Sequence, residues 1–83
     1  MKHAGSEALD RLEALLTALR QIDGLTEKKR GVFYRKSAAF LHFHEDPAGL
    51  FADLRTGAEF ERFAVSTLAQ RSAILARVKR VVR

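Results

Sequence analysis

The chain contains no cysteine and no tryptophan, and only one proline, one tyrosine and one methionine. Without cysteine there are no disulfides and no thiolate metal sites, and a cytoplasmic location is the expectation. No apolar run approaches the roughly 20 residues that cross a bilayer, and the N-terminal MKHAGSEALD has no apolar signal region. Acidic residues are missing altogether beyond Glu61, where six Arg and Lys follow. The 83 residues carry a net charge of +5, with 47% apolar and 30% charged side chains. That balance describes one small globular domain over residues 1–83, with residues 1–5 expected to lack structure. A chain of this size buries only about 60% of its unfolded surface, so its core is thin and association with a partner would help it.

What is present is strongly patterned. Leu9, Leu12, Leu15, Leu16, Leu19 and Ile22 recur at three- and four-residue steps and predict a core helix, with Ser6 as N-cap and Gly24 as the stop. The polar TEKKRG reads as a loop. Period-two patterns then predict strands at Val32–Arg35, Ala38–His44 and Leu50–Arg55, joined by Lys36-Ser37 and by Asp46-Pro47-Ala48-Gly49. AEFERFAV, residues 58–65, suits either a helical turn or a fourth strand, and the strand is preferred. Thr67 and Gln70 have capping-box spacing ahead of a last helix over Leu68–Val82, in which Leu68, Ile74, Leu75, Val78, Val81 and Val82 form the apolar arc. Arg71 falls within that arc, and is expected to snorkel to an acid or to solvent. The fold class that follows is α+β. It is a two-layer sandwich in which an antiparallel three- to four-stranded meander is flanked by N- and C-terminal helices packed on one face.

Register decides the rest, because a one-residue slip reverses every side chain. Pairing Glu45 with Leu50 and Arg35 with Ala38 predicts a core face of Val32, Tyr34, Ala39, Leu41, Phe43, Leu50, Ala52 and Leu54. The opposite face then carries Phe33, Arg35, Phe40, His42, His44, Phe51, Asp53 and Arg55. A type I turn with a glycine bulge at DPAG is the competing geometry and would shift that pairing. The segment AFLHFHEDPAGLFADLR, preceded by GVFYRK and followed by FERFAVST, resembles a small bacterial family of stand-alone proteins, a likeness that implies a fold more than an activity. The layout is also similar to the YjbR-type and TfoX N-terminal domains, some of which are linked to DNA-related regulation. No binding residue carries over from either.

Three chemistries can be drawn from the second face. His42 and His44 point to one side of their strand with Asp53 across from His42, a weak metal set, and mobile His3 is the only further ligand nearby. As an acid–base pair, His42–Asp53 lacks a nucleophile, since Ser37 lies in a turn and Ser66, Thr67 and Ser72 belong to the last helix. No catalytic role, cofactor or small-molecule substrate is therefore expected, and a cross-strand ion pair worth about 0.2–1 kcal/mol explains the pair. The third chemistry is contact. Phe33, Phe40 and Phe51, bordered by His42, His44, Asp53 and Arg55, would form an exposed aromatic patch, which predicts a homodimer interface. The alternative is nucleic acid, held weakly by Lys28, Lys29, Arg30, Arg77, Lys79 and Arg80 from the basic stretches 28–36 and 71–83, or stacked on the aromatic face. In a third outcome AEFERF folds over the patch within the monomer.

Overall fold

A computed structural model describes residues Met1–Arg83. The elements run β1 (Lys2–His3), α1 (Ser6–Arg11), α2 (Glu13–Arg20), β2 (Leu25–Lys29), β3 (Val32–Arg35), β4 (Ala38–Asp46), β5 (Gly49–Arg55), β6 (Phe60–Ala64) and α3 (Leu68–Val81). The fold is α+β, with N-terminal helices and a C-terminal helix packed on an antiparallel five-strand meander, β2-β3-β4-β5-β6. Short β1 adds to β4 beyond the end of β3. No helix is long and apolar enough to cross a membrane.

The leucine stripe forms two helices in place of one. At Leu12 the backbone opens to φ −96° and ψ 5°, and its N–H is shared between the carbonyls of Ala8 and Leu9. The break is slight, since Leu16 N–H still reaches Leu12 O at 2.9 Å. The N-cap is Gly5, one residue before the expected Ser6, and its N–H donates to Glu45 Oε2 at 2.6 Å across the domain. Gly24 stops the helical segment at φ +96°, as expected of a residue without a Cβ penalty. Leu25 then starts a strand where the sequence reads as loop. Being an edge strand, β2 needs little apolar signal, and its lysines are the kind of residue that guards a sheet edge.

The β4–β5 register is the predicted one throughout, from Leu41↔Leu54 to Asp46↔Gly49. Pro47 and Ala48 make a two-residue turn, with Ala48 N–H held by Asp46 Oδ1 at 2.8 Å. Against β3 the outcome differs. Arg35↔Ala38 and Tyr34↔Ala39 pair as expected, but the next pair is Phe33↔Leu41, so Phe40 is an extra residue in β4. This bulge turns Phe40 and Leu41 to the same side, and it exchanges the faces of β3. Phe33 and Phe40 enter the core, at 1% and 3% exposure, while Val32, Tyr34 and Ala39 leave the predicted core face. The gain is two aromatic side chains buried in place of a valine, a tyrosine and an alanine.

Residues 60–64 are a strand, paired Phe51↔Ala64 through Arg55↔Phe60. The capping box of Thr67 and Gln70 forms on both sides. On α3, Ile74 and Val78 are buried and Leu75, Val81 and Val82 pack on the core, but Leu68 is 78% exposed. It lies in the first turn, where it lines an open cleft with Ala14, Leu15 and Ala18 of α2. Arg71 goes neither to an acid nor to solvent. Its guanidinium donates to the carbonyls of Val65 and Ser66 at 2.8 and 3.0 Å, satisfying the backbone where β6 ends.

Candidate binding face of the sheet

All three helices serve one side of the sheet, and the bulge settles which residues the other side shows. Directly paired residues share a face, so the register lays out transverse rows. One row reads Val32, His42, Asp53, Arg62. The next reads His3, His44, Phe51, Ala64. Arg55 and Phe60 pair at one end. Tyr34 and Lys29 extend the face toward β2. Beside the histidines, a cleft of about 280 Å³ is lined by His3, Lys29, Val32, Tyr34, Ala39 and His42, among others.

Asp53 is the anchor of this face. It is 8% exposed, and Arg62 grips it with two hydrogen bonds of 2.7 and 2.8 Å. The guanidinium holds the Asp53 carboxyl below the usual carboxylate range, against the opposing effect of burial. His44 Nε2 lies 3.4 Å from Asp53 Oδ2 and 3.0 Å from His42 Nδ1. Burial pushes both His42 and His44 below the ordinary imidazole value; His44 adds to the lowering at His42, and Asp53 works against it at both. His3 joins them because Ala4 N–H bonds Phe43 O at 3.0 Å and β1 pairs with β4. Its ring stacks on His44 at 4.7 Å between centroids, and one ligating atom from each of the three histidines lies within 4.8 Å of the others.

The aromatic and cationic part lies beside this cluster. Arg55 sits over the Phe60 ring at 4.5 Å, held by Ala39 O and Ala58 O. Phe60 meets His42 edge to face at 4.9 Å, and Lys28 Nζ lies 5.4 Å from the centre of the Tyr34 ring.

The predicted site residues are therefore split. His42, His44, Phe51, Asp53 and Arg55 share the open face, whereas Phe33 and Phe40 lie in the core and contribute nothing to a surface patch. Asp53 has both oxygens engaged by Arg62, so the third metal-ligating side chain is His3 instead. The six basic residues do not form one site. Arg30 is paired with Asp10 and Glu13, Arg77 with Glu61, and Lys79 and Arg80 lie on α3 in the helical layer. Arg62 and Phe60 belong to the face and were missed, although extending the hairpin register to 58–65 would have placed Arg62 across from Asp53. His3 had no such signal, since two residues of β1 are too few to show a period. No protein-family model, curated protein or solved structure matches this chain.

Proposed function

We propose that this chain is a small non-catalytic binding module whose working surface is the open sheet face, and that the face takes a single-stranded nucleic acid. The observation that carries this reading is the Arg55–Phe60 stack, set in a face with Phe51, Tyr34, Lys28, Lys29 and Arg62. Of the carboxylates on this face, Asp53 is neutralised by Arg62, and Asp46 stands at the turn end of β4, where it holds the Ala48 amide. Aromatic rings between cations offer stacking surfaces to bases and charge to phosphates. In this reading the protein acts in the cytoplasm, and the hydroxyls between β6 and α3 have structural tasks: Ser66 accepts from Leu50 N–H and Thr67 caps α3.

A labelled oligonucleotide titrated against the chain in the presence of chelator tests this. Single strands should bind better than duplex, with affinity falling steeply as salt rises. Phe60→Ala should cost about 1–3 kcal/mol of binding from lost stacking. Equal affinity for duplex and single strand, unchanged by Phe60→Ala, would sink the reading.

The homodimer is the second reading, on a different footing. With Phe33 and Phe40 in the core its aromatic argument is gone, but the outer edge of β6 is unpaired and four of its five residues are exposed. Strand-to-strand pairing of two β6 edges would continue the sheet across a twofold axis. Light scattering at micromolar concentration should then give twice the chain mass, and Arg62→Pro, which removes a backbone donor, should return it to one.

A further inference from the structure

We propose that His3, His42 and His44 together form a binding site for one divalent transition-metal ion of the zinc class. The inference stands apart from the nucleic-acid reading, since it rests on the histidine end of the face and not on Arg55 or Phe60.

Two strands, β1 and β4, supply the geometry. His42 and His44 project to the same side because they are two apart on β4, and His3↔His44 pairing of β1 with β4 brings the third ring alongside. His42 Nδ1 and His44 Nε2 are 3.0 Å apart. Two imidazole nitrogens around a tetrahedral zinc ion, each about 2.0–2.1 Å from it, are separated by about 3.3 Å. The pair is thus already at a ligand-to-ligand spacing. The third ligating atom lies within 4.8 Å of both, so His3, on an exposed side chain, closes the set by moving roughly 1.5 Å.

The polar groups themselves are left incompletely satisfied. A single proton can lie between His42 Nδ1 and His44 Nε2, while Asp53 Oδ2 stands 3.4 Å from the same Nε2. His44 Nδ1 is buried with no hydrogen-bond partner. His44 Nε2 lies on the side where His42 and His3 converge. A cation at that point satisfies the three nitrogens at once and faces the Asp53 carboxylate. The donor set selects the metal class. Three imidazoles suit zinc, copper or nickel, whereas calcium and magnesium need oxygens, and Asp53 has given both of its oxygens to Arg62. Three protein ligands leave a fourth position to water.

The test uses the untagged chain, titrated calorimetrically with zinc and followed by cobalt absorption. One zinc per chain should bind, and cobalt should give the intense visible bands of a four-coordinate site. His3→Ala should weaken binding by about tenfold or more, since loss even of an outer partner of a ligand costs that much. His3 is exposed, so this variant should keep the fold and its unfolding midpoint without metal. Zinc should also slow hydrogen exchange of the Ala4 amide, because the ion ties β1 to β4. Absence of saturable zinc binding, or binding that His3→Ala and His42→Ala both leave unchanged, would overturn the proposal. The oligonucleotide titration runs in chelator, so each idea can fail without the other.

Discussion

Lys36 and Ser37 form a two-residue turn between β3 and β4, and both have positive φ, at 53° and 69°. That is the left-handed geometry of a type I′ turn, filled here by two residues that pay for it in Cβ crowding. Replacing them by Asn-Gly should stabilise the domain by about 1 kcal/mol, read as a higher urea midpoint with an unchanged slope. Phe33 and Leu68 make the complementary comparison. Phe33 was expected on the surface and Leu68 in the core, and the structure reverses both. Phe33→Ala should cost about 3–5 kcal/mol, a large share of what so small a domain has. Leu68→Ala should stay within about 0.5 kcal/mol, and chemical denaturation of the two variants side by side checks both values. At this scale the sequence was legible wherever the β4–β5 register applied, as for His42, His44 and Asp53. It named His3 only as a mobile further ligand and missed Arg62, and the places of both depend on strands outside that hairpin.

Among the elements, α3 shows what local chemistry alone can do. Thr67 Oγ1 accepts from Gln70 N–H at 3.1 Å, and Gln70 Oε1 accepts from the Ser66 and Thr67 amides. These residues sit within four positions of one another, so their spacing was readable directly. Thr67→Ala should destabilise by about 1 kcal/mol, while Thr67→Asn should be close to neutral, measured by thermal or urea unfolding. The bulge in β4 is the opposite case. Nothing in AAFLHF marks Phe40 as the extra residue, since a period-two pattern continues equally well through it. Only the helical layer, which needs large side chains opposite the leucine stripe, favours burying Phe33 and Phe40 together. The strand β2 was hidden for a related reason. Its residues face solvent along one edge, so the apolar alternation that marks a strand is absent.

For the molecule as a whole, a chain of ion pairs joins the N-terminal helices to the β2–β3 hairpin. Glu13 binds both Arg20 and Arg30, Arg20 also binds Glu27, and Arg30 also binds Asp10. Arg30, and then Arg20, lower the Glu13 carboxyl from 4.5 to about 2. A carboxyl depressed in the folded state adds stability that is complete above its unfolded value. That stability is lost as pH falls through the folded one. The Glu13 contribution should therefore fade between about pH 4.5 and 2, and Glu13→Gln should flatten that part of the stability–pH curve. Because Glu13 is at the surface, added salt should reduce the difference between the two proteins. An acid limb identical in both would show that the pairs contribute nothing. The same network explains why net charge was a poor guide to a binding site. Arg30 looks free in the run from Lys28 to Lys36, yet its partners, Asp10 and Glu13, come from α1 and α2.

By itself the sequence determined the α+β class, the leucine stripe, the β4–β5 register and the capped last helix. Each of these rests on periodicity or on contacts between residues a few positions apart, which a linear pattern records. Tertiary structure decided the rest: which phenylalanines are buried, which arginine holds Asp53, and that His3 stands beside His42 and His44. Those outcomes turn on one extra residue in β4 and on pairing between segments as distant as residues 3 and 44. A bulge changes the face of every residue beyond it without altering the local pattern, and a long-range pair is settled by competition for one shared core. Neither leaves a mark that can be read along the chain.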